Sequence, residues 1–135
     1  MPTPATSAIN ARTSTRTYAG TRENVRAIRA DLRALLAGCA HADDIILCAS
    51  ELAANAAIHS NSAAPGGTIT VHAEIRYGNH VRIEISDDGG PWSEPAADPD
   101  RPHGLDVIAI LATAWGITDT PSGRTAWAQL DWPAR

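Results

Sequence analysis

Apolar residues recur at helical spacing in two stretches of the chain. Between residues 25 and 36 they fall three and four positions apart, which predicts a helix from about Glu23 to Leu36, packed by one face and ended by Gly38. A second helix is predicted from about His41 to Ser60, since Asp43 and Asp44 would occupy its first turn, where the helix dipole favours negative charge. We therefore expect two consecutive helices in the first half of the chain.

Alternating apolar and polar residues predict strands in the second half. Thr68 to Tyr77 and His80 to Asp87 alternate regularly, and Gly78-Asn79 between them is typical of a β-hairpin turn. A helix is expected from Gly104 to Trp115-Gly116. The remaining predicted strands are a short one at Thr15 to Ala19, one at Ile117 to Asp119 and one at Thr125 to Trp132.

A carboxylate ends the apolar row of one predicted strand. Val81, Ile83 and Ile85 point to one side, and the same alternation places Asp87 on that side as well. A carboxylate in this position needs a hydrogen-bond donor, and Gly89-Gly90 beside it would allow the backbone to approach a ligand closely. An ordinary Asp-Gly turn is the alternative interpretation.

The second predicted helix carries three polar groups on one face. Glu51, Asn55 and His59 follow one another at four-residue steps in an alanine-rich sequence. Such groups are costly to bury unless something polar meets them. Neighbouring backbone could satisfy Glu51 and Asn55, and for His59 a structural role is the favoured interpretation.

Composition restricts the classes of partner and compartment. The chain has 135 residues, which predicts one domain at residues 15–135. Residues 1–14 are rich in Thr, Ser, Ala and Pro and lack an apolar core, so we expect a flexible tail there. The net charge of -4 argues against a nucleic-acid or anionic-membrane partner. No stretch of about 18 apolar residues occurs, so we expect no membrane span. Cys39 and Cys48 lack metal-ligand spacing and are expected to be free thiols in a reducing cytoplasm. Because the chain contains no phenylalanine, Trp115, Trp127 and Trp132 are expected to pack the core.

Four short motifs in order resemble the GHKL ATPase superfamily, which includes DNA gyrase B, MutL and histidine-kinase catalytic domains. They are Glu51-x-x-x-Asn55-Ala56, Asp87-x-Gly89, Gly104-Leu105 and Gly123-x-Thr125. Within it, the chain looks most like bacterial anti-sigma-factor serine/threonine kinases. The resemblance implies an α+β fold, the Bergerat two-layer sandwich, whose mixed but mainly antiparallel sheet is covered on one face by about three helices.

The resemblance also implies a role for each motif in binding ATP and Mg²⁺. Asp87 would accept a hydrogen bond from the adenine amine, Asn55 would contact Mg²⁺, and Glu51 would be the catalytic base. The loop from Gly90 to His103 would cover the triphosphate. The remaining implied nucleotide contacts are Gly89, Arg101, Gly104, Leu105 and Thr125.

Two functional hypotheses follow from the resemblance. The first is a cytoplasmic kinase that phosphorylates an anti-anti-sigma protein with a STAS domain and otherwise sequesters a sigma factor; relatives of this kind commonly pair as homodimers. The second is a regulator that acts by protein contact, with weak or no nucleotide turnover. The second is suggested by Pro102-His103-Gly104, where the family usually has a Gly-x-Gly pair, because proline fixes the backbone and removes an amide donor.

Overall fold

A computed structural model of the protein describes residues 11–59, 65–89, 104–120 and 123–131. Within these ranges the chain forms three helices and five strands. The helices are α1 (Glu23–Leu35), α2 (Ala42–His59) and α3 (Gly104–Leu111). The strands are β1 (Ala11–Ala19), β2 (Thr68–Arg76), β3 (His80–Asp87), β4 (Ala114–Thr120) and β5 (Gly123–Asp131).

The five strands form one sheet in the order β1-β2-β3-β5-β4. All four strand pairs in the described part of the sheet are antiparallel, which agrees with the mainly antiparallel sheet that was expected. The β2–β3 hairpin turns at Gly78, whose φ is 79°, and the Asn79 N–H donates to the Arg76 carbonyl at 2.8 Å. The predicted hairpin is therefore present.

One face of the sheet packs against the helices and forms the core. On β2 and β3 every second side chain is buried, as the alternation predicted. Helix α2 lies over β2, β3 and β5 and has α1 and α3 as its neighbours. The fully buried larger aliphatic side chains are Ile28, Leu36, Ile45, Ile69, Ile75, Val81, Ile83, Ile85 and Ile108. The predicted α+β two-layer sandwich is confirmed.

The segment after α3 differs from the prediction. The helix ends at Leu111 rather than at Trp115-Gly116, and β4 already begins at Ala114. The Thr113 N–H donates to the Gln129 carbonyl at 2.8 Å, and the Thr113 hydroxyl accepts from the Asp131 N–H at 2.9 Å. Pairing with β5 therefore supplies backbone partners at the point where a longer helix would have bonded to its own preceding turn.

Strand β1 is longer than predicted. It begins at Ala11 instead of Thr15 and pairs with β2 over its whole length, from Ala11 opposite Arg76 to Ala19 opposite Thr68. Six of its nine residues are exposed, so an apolar pattern could not reveal it. The extent of β1 is therefore determined by its pairing with β2 and not by burial of its own side chains.

The tryptophan prediction is wrong for the two tryptophans inside the described ranges. Trp115 is 38% exposed on the edge strand β4. Trp127 lies on the sheet face away from the helices, where the Arg82 guanidinium carbon is 4.0 Å from its ring centroid. Aliphatic side chains fill the core instead, and Trp132 lies outside the described residues.

Both cysteines are free thiols, as predicted, with Cys48 buried and Cys39 half-buried. None of the helices in the described ranges is long and apolar enough to cross a membrane.

Candidate functional site

A small cavity of about 30 Å³ lies beneath α2, at the end of the sheet where β3 stops. Asn55 from α2, Asp87 from β3, Leu105 from α3 and Arg124 from β5 contribute to its wall. A volume of this size holds roughly one or two water molecules.

Asp87 provides the carboxylate of this cavity. The alternation of β3 continues to its last residue, so the side chain stays on the helix-facing side as predicted. Its Oδ1 accepts a hydrogen bond from the Gly89 N–H at 2.7 Å. Burial raises the pKa of this carboxyl, although that hydrogen bond and the nearby Arg124 charge both act to lower it. The site therefore holds a half-buried, oriented hydrogen-bond acceptor.

Two glycines allow the chain to pass close to Asp87. Gly89 has a φ of 70°, and a Cβ added there would lie 3.2 Å from the Gly123 Cα. A Cβ added to Gly123 would overlap the Asp87 carbonyl oxygen. Both positions therefore need glycine for close backbone contact, and Gly89 also orients Asp87 through its N–H.

Asn55 and Glu51 lie one helical turn apart on α2 but contribute to different depressions. Asn55 shares the small cavity with Asp87. Glu51 lies in a larger groove of about 720 Å³ between α1 and α2, beside Arg22, Arg26 and Arg29. Of the two predicted helix residues, the structure brings Asn55 together with Asp87 and places Glu51 in the adjoining groove.

Thr125 lies apart from the other predicted site residues on β3 and α2. The structure places its hydroxyl on the sheet face away from the helices, 2.9 Å from the Ser86 hydroxyl. It therefore does not face the cavity that contains Asp87. The side chain of β5 that does face this cavity is the preceding one, Arg124, which pairs directly with Asp87 across the strands. The sequence motif does not include Arg124, although continuing the alternation of β5 through position 124 would have indicated it.

The other predicted nucleotide contacts belong to or precede α3. Gly104 is the first residue of α3, and Leu105 lines the cavity. Arg101 and the loop from Gly90 to His103 lie outside the described residues, as does the side chain of His59.

The described residues contain no group of three or more His, Cys, Asp or Glu side chains that could hold a metal ion. A divalent cation at Asn55 would therefore need other ligands, such as the phosphate oxygens of a nucleotide and water.

Comparison with known proteins gives one family match. The family described as histidine kinase-like ATPase domain matches residues 18–129, and no curated protein matches the chain. That range includes Glu51, Asn55, Asp87 and Arg124.

The solved structures similar to this chain include the following two. The RsbU and RsbW domains of Rv1364c from Mycobacterium tuberculosis are 26% identical, with a TM-score of 0.65 over 92% of this chain and 34% of that one. The histidine kinase domain of the blue-light activated histidine kinase from Erythrobacter litoralis EL346 is 18% identical, with a TM-score of 0.54 over 81% of this chain and 59% of that one, and shows the fold alone. This chain thus corresponds to about a third of the first protein.

The family match covers most of the chain, and the sheet, the three helices and the polar cavity agree with it. The chain belongs to the family of histidine kinase-like ATPase domains, within the GHKL superfamily.

Proposed function

We propose that this protein is an ATP-binding regulator, an anti-sigma factor that phosphorylates a STAS-domain anti-anti-sigma protein on serine or threonine. The observation that carries the proposal is the meeting of Asn55 and Asp87 in one cavity of a histidine kinase-like ATPase domain. The similarity to a chain with an RsbW domain supports the anti-sigma-factor type. Sigma-factor sequestration and a cytoplasmic location belong to the same proposal.

Asp87 is the proposed adenine contact. Its carboxylate would accept a hydrogen bond from the exocyclic amine of the base, while the Gly89 N–H holds the carboxylate in place. Leu105 would add apolar surface, and the α3 amides that begin at Gly104 would face the phosphates.

Asn55 and Glu51 are the proposed phosphate-end residues. Asn55 would offer its side-chain oxygen to Mg²⁺, which neutralises developing phosphate charge when it is bound. Glu51, one turn earlier, would accept the proton of the attacking hydroxyl. Its groove between α1 and α2 has a volume of about 720 Å³, compared with about 30 Å³ for the cavity at Asp87.

Nucleotide titration with and without Mg²⁺ tests the proposal. For Asp87→Asn we expect ATP binding weaker by roughly 10- to 150-fold, because a hydrogen bond to a charged group contributes about 1.5–3 kcal/mol. Asp88→Asn is the matched control, since its carboxylate instead accepts from the Thr68 N–H at 2.9 Å. An unchanged ATP affinity in Asp87→Asn would refute the proposed adenine contact.

Phosphoryl transfer from ATP to a STAS-domain protein tests the kinase activity. Glu51→Ala is expected to bind ATP within a few-fold of the wild type and to lose transfer by about 10²- to 10⁴-fold. Phosphoryl transfer by Glu51→Ala at the wild-type rate would show that Glu51 does not act as the catalytic base.

A contact regulator without turnover is the second candidate. It is favoured by the separation of Glu51 from the cavity that contains Asn55 and Asp87. ATP binding by the wild type together with no transfer to any STAS-domain protein would support it over the kinase. Absence of Mg²⁺-dependent ATP binding at millimolar nucleotide would reject the nucleotide-dependent function altogether.

A further inference from the structure

A pocket of about 310 Å³ lies between the edge strand β1 and the C-terminal half of α1. Small-molecule sites in proteins have volumes of roughly 300–1,000 Å³, so this pocket can hold a small organic ligand. None of its lining residues lines the cavity at Asp87 or the groove that contains Glu51. It is therefore a separate candidate site.

Small side chains on three elements border the pocket. Every second residue of β1 faces the helices, and Ser14 of this row lies directly opposite Ala73 on β2. Ala34 is the small residue that α1 contributes to the lining. Leu32 and Val71, each only 4% exposed, add apolar surface to the same lining. The space between the sheet and α1 is therefore bordered by short side chains and has an apolar wall.

The polar groups of the pocket that remain available are hydrogen-bond donors. Asp31 already accepts from the Tyr18 hydroxyl at 2.6 Å and forms an ion pair with Arg16 at 2.9 Å. In the ranges that the structure describes, neither the Arg12 guanidinium nor the Ser14 hydroxyl has a hydrogen bond or an ion pair. A guanidinium has five N–H donors and no acceptor. The pocket therefore offers donors to a ligand that brings acceptors.

The charges of the pocket favour an anion with a single negative charge. Arg12 and Arg16 carry two positive charges and Asp31 one negative charge, which leaves +1 in a chain whose net charge is -4. The two arginines lie on either side of Ser14, with Cα atoms about 13 Å apart, so a group next to Ser14 lies between two cations. A guanidinium binds a planar carboxylate through two parallel N–H bonds. A phosphate monoester, with about -1.5 to -2 charges at neutral pH, exceeds the charge available here.

We propose that this pocket binds a small organic carboxylate with an apolar body. The carboxylate accepts hydrogen bonds from Arg12 and from the Ser14 hydroxyl, and the apolar body lies against Leu32 and Val71. Because the bound ligand lies between β1 and α1, it strengthens the attachment of this helix to the sheet. The inference does not depend on nucleotide binding.

Titration of the full chain with phenylbutyrate tests the proposal, with phenylbutyramide and inorganic phosphate as comparison ligands. Binding is followed at neutral pH and constant ionic strength by the NMR chemical shifts of the backbone amides of β1 and α1. We expect phenylbutyrate to bind with a dissociation constant of about 0.3–3 mM, the range that the usual affinity per atom gives for a ligand of this size. The amide keeps the shape without the charge, and phosphate keeps the charge without the apolar body. Each should therefore bind at least about fivefold more weakly.

Two pairs of variants test the position of the ligand. Arg12→Met keeps the length of the side chain, removes its donors and should weaken phenylbutyrate binding at least about threefold. Arg33→Met is the matched control and should bind like the wild type, because Arg33 is an exposed arginine of α1 outside the pocket lining. Ser14→Leu should fill the pocket and abolish binding. Thr13→Leu is its control and should bind like the wild type, because alternate residues of a strand point to opposite faces.

The proposal is overturned if phenylbutyrate and its amide bind equally, if phosphate binds as tightly as phenylbutyrate, or if phenylbutyrate does not bind at about 20 mM. Equal affinities of Arg12→Met and Arg33→Met would also overturn it. The comparison of acid and amide uses the wild type alone, so it decides the question even if a variant does not fold. These titrations contain no nucleotide, and a negative result leaves the proposed ATP-binding function standing.

Discussion

At the scale of single residues, Asp87 is placed for binding at some cost to stability. Burial raises the pKa of its carboxyl above the ordinary value of 3.8, so the folded state disfavours the charged form. For an acid with a raised pKa, the native state is favoured when the group is protonated, and this advantage is lost as pH rises through the folded pKa. Ionisation of Asp87 therefore lowers the stability of the unliganded protein.

Replacement of Asp87 by asparagine tests this cost. We expect Asp87→Asn to be more stable than the wild type at neutral pH, because the amide oxygen can still accept from the Gly89 N–H while the buried charge is gone. The difference should shrink as pH falls below about 3.8, where the carboxyl is protonated in both states. Urea denaturation across this pH range measures it, with Asp88→Asn as the control. A less stable Asp87→Asn at neutral pH would contradict the interpretation.

Some residues of the candidate site could be predicted from the sequence and others could not, depending on what fixes the direction of the side chain. Asp87 was predictable, because three buried residues before it fix the direction of its side chain. Arg124 was not predicted, because β5 was expected to begin at Thr125, two residues after its first residue Gly123, and the motif drew attention to the hydroxyl. The alternation of β5 gives Arg124, rather than Thr125, the helix-facing direction, and the pairing of β3 with β5, which no local pattern contains, places it opposite Asp87.

At the scale of elements, α1 is attached to the edge strand β1 by a polar cluster. The Tyr18 hydroxyl donates to Asp31 Oδ2 at 2.6 Å, and the Arg16 guanidinium lies 2.9 Å from the same oxygen. The hydrogen bond from Tyr18 is the main reason why the pKa of Asp31 is lowered. Burial, followed by this contact with Asp31, raises the pKa of Tyr18.

Removal of the Tyr18 hydroxyl should loosen this attachment. Tyr18→Phe keeps the ring and is expected to lower the free energy of unfolding by about 0.5–1 kcal/mol, the usual contribution of one partly exposed hydrogen bond. Urea denaturation at pH 7 provides the measurement. Arg16→Ala serves as the comparison and should have little effect, because its ion pair is exposed to solvent. A larger loss in Arg16→Ala than in Tyr18→Phe would show that charge, rather than the hydroxyl, attaches the helix.

The observed bounds of helices and strands agree with the predicted ones where apolar residues recur at a regular spacing. Elsewhere the observed and predicted bounds differ. The bounds of β3 agree with the prediction, and those of α1 and α2 agree to within one residue at each end. The predicted third helix extended past Leu111 because alanine and leucine favour helix, yet Trp115 pairs with Ala128 on β5. Tertiary pairing therefore overrode local preference at β4, and it also lengthened β1.

At the scale of the whole molecule, α2 joins the core to the candidate site. Cys48, Leu52 and Ala56 are buried in the core, whereas Glu51 and Asn55 of the same helix line the groove and the cavity. Stabilising the site should therefore stabilise the core. The Cys48 thiol reports on this coupling, because it is fully buried and burial raises its pKa to about 11.

Thiol labelling of Cys48 in a Cys39→Ala background tests the coupling. Both the inaccessibility of the thiol and its raised pKa oppose reaction in the native state, so labelling should require opening of the core. ATP that binds only the folded protein at 100 times its dissociation constant should slow labelling about 100-fold, equivalent to about 2.7 kcal/mol. The same nucleotide concentration should give much less protection in Asp87→Asn. Labelling of Cys48 at the rate of an exposed thiol, or equal protection in both proteins, would contradict a link between the candidate site and the core.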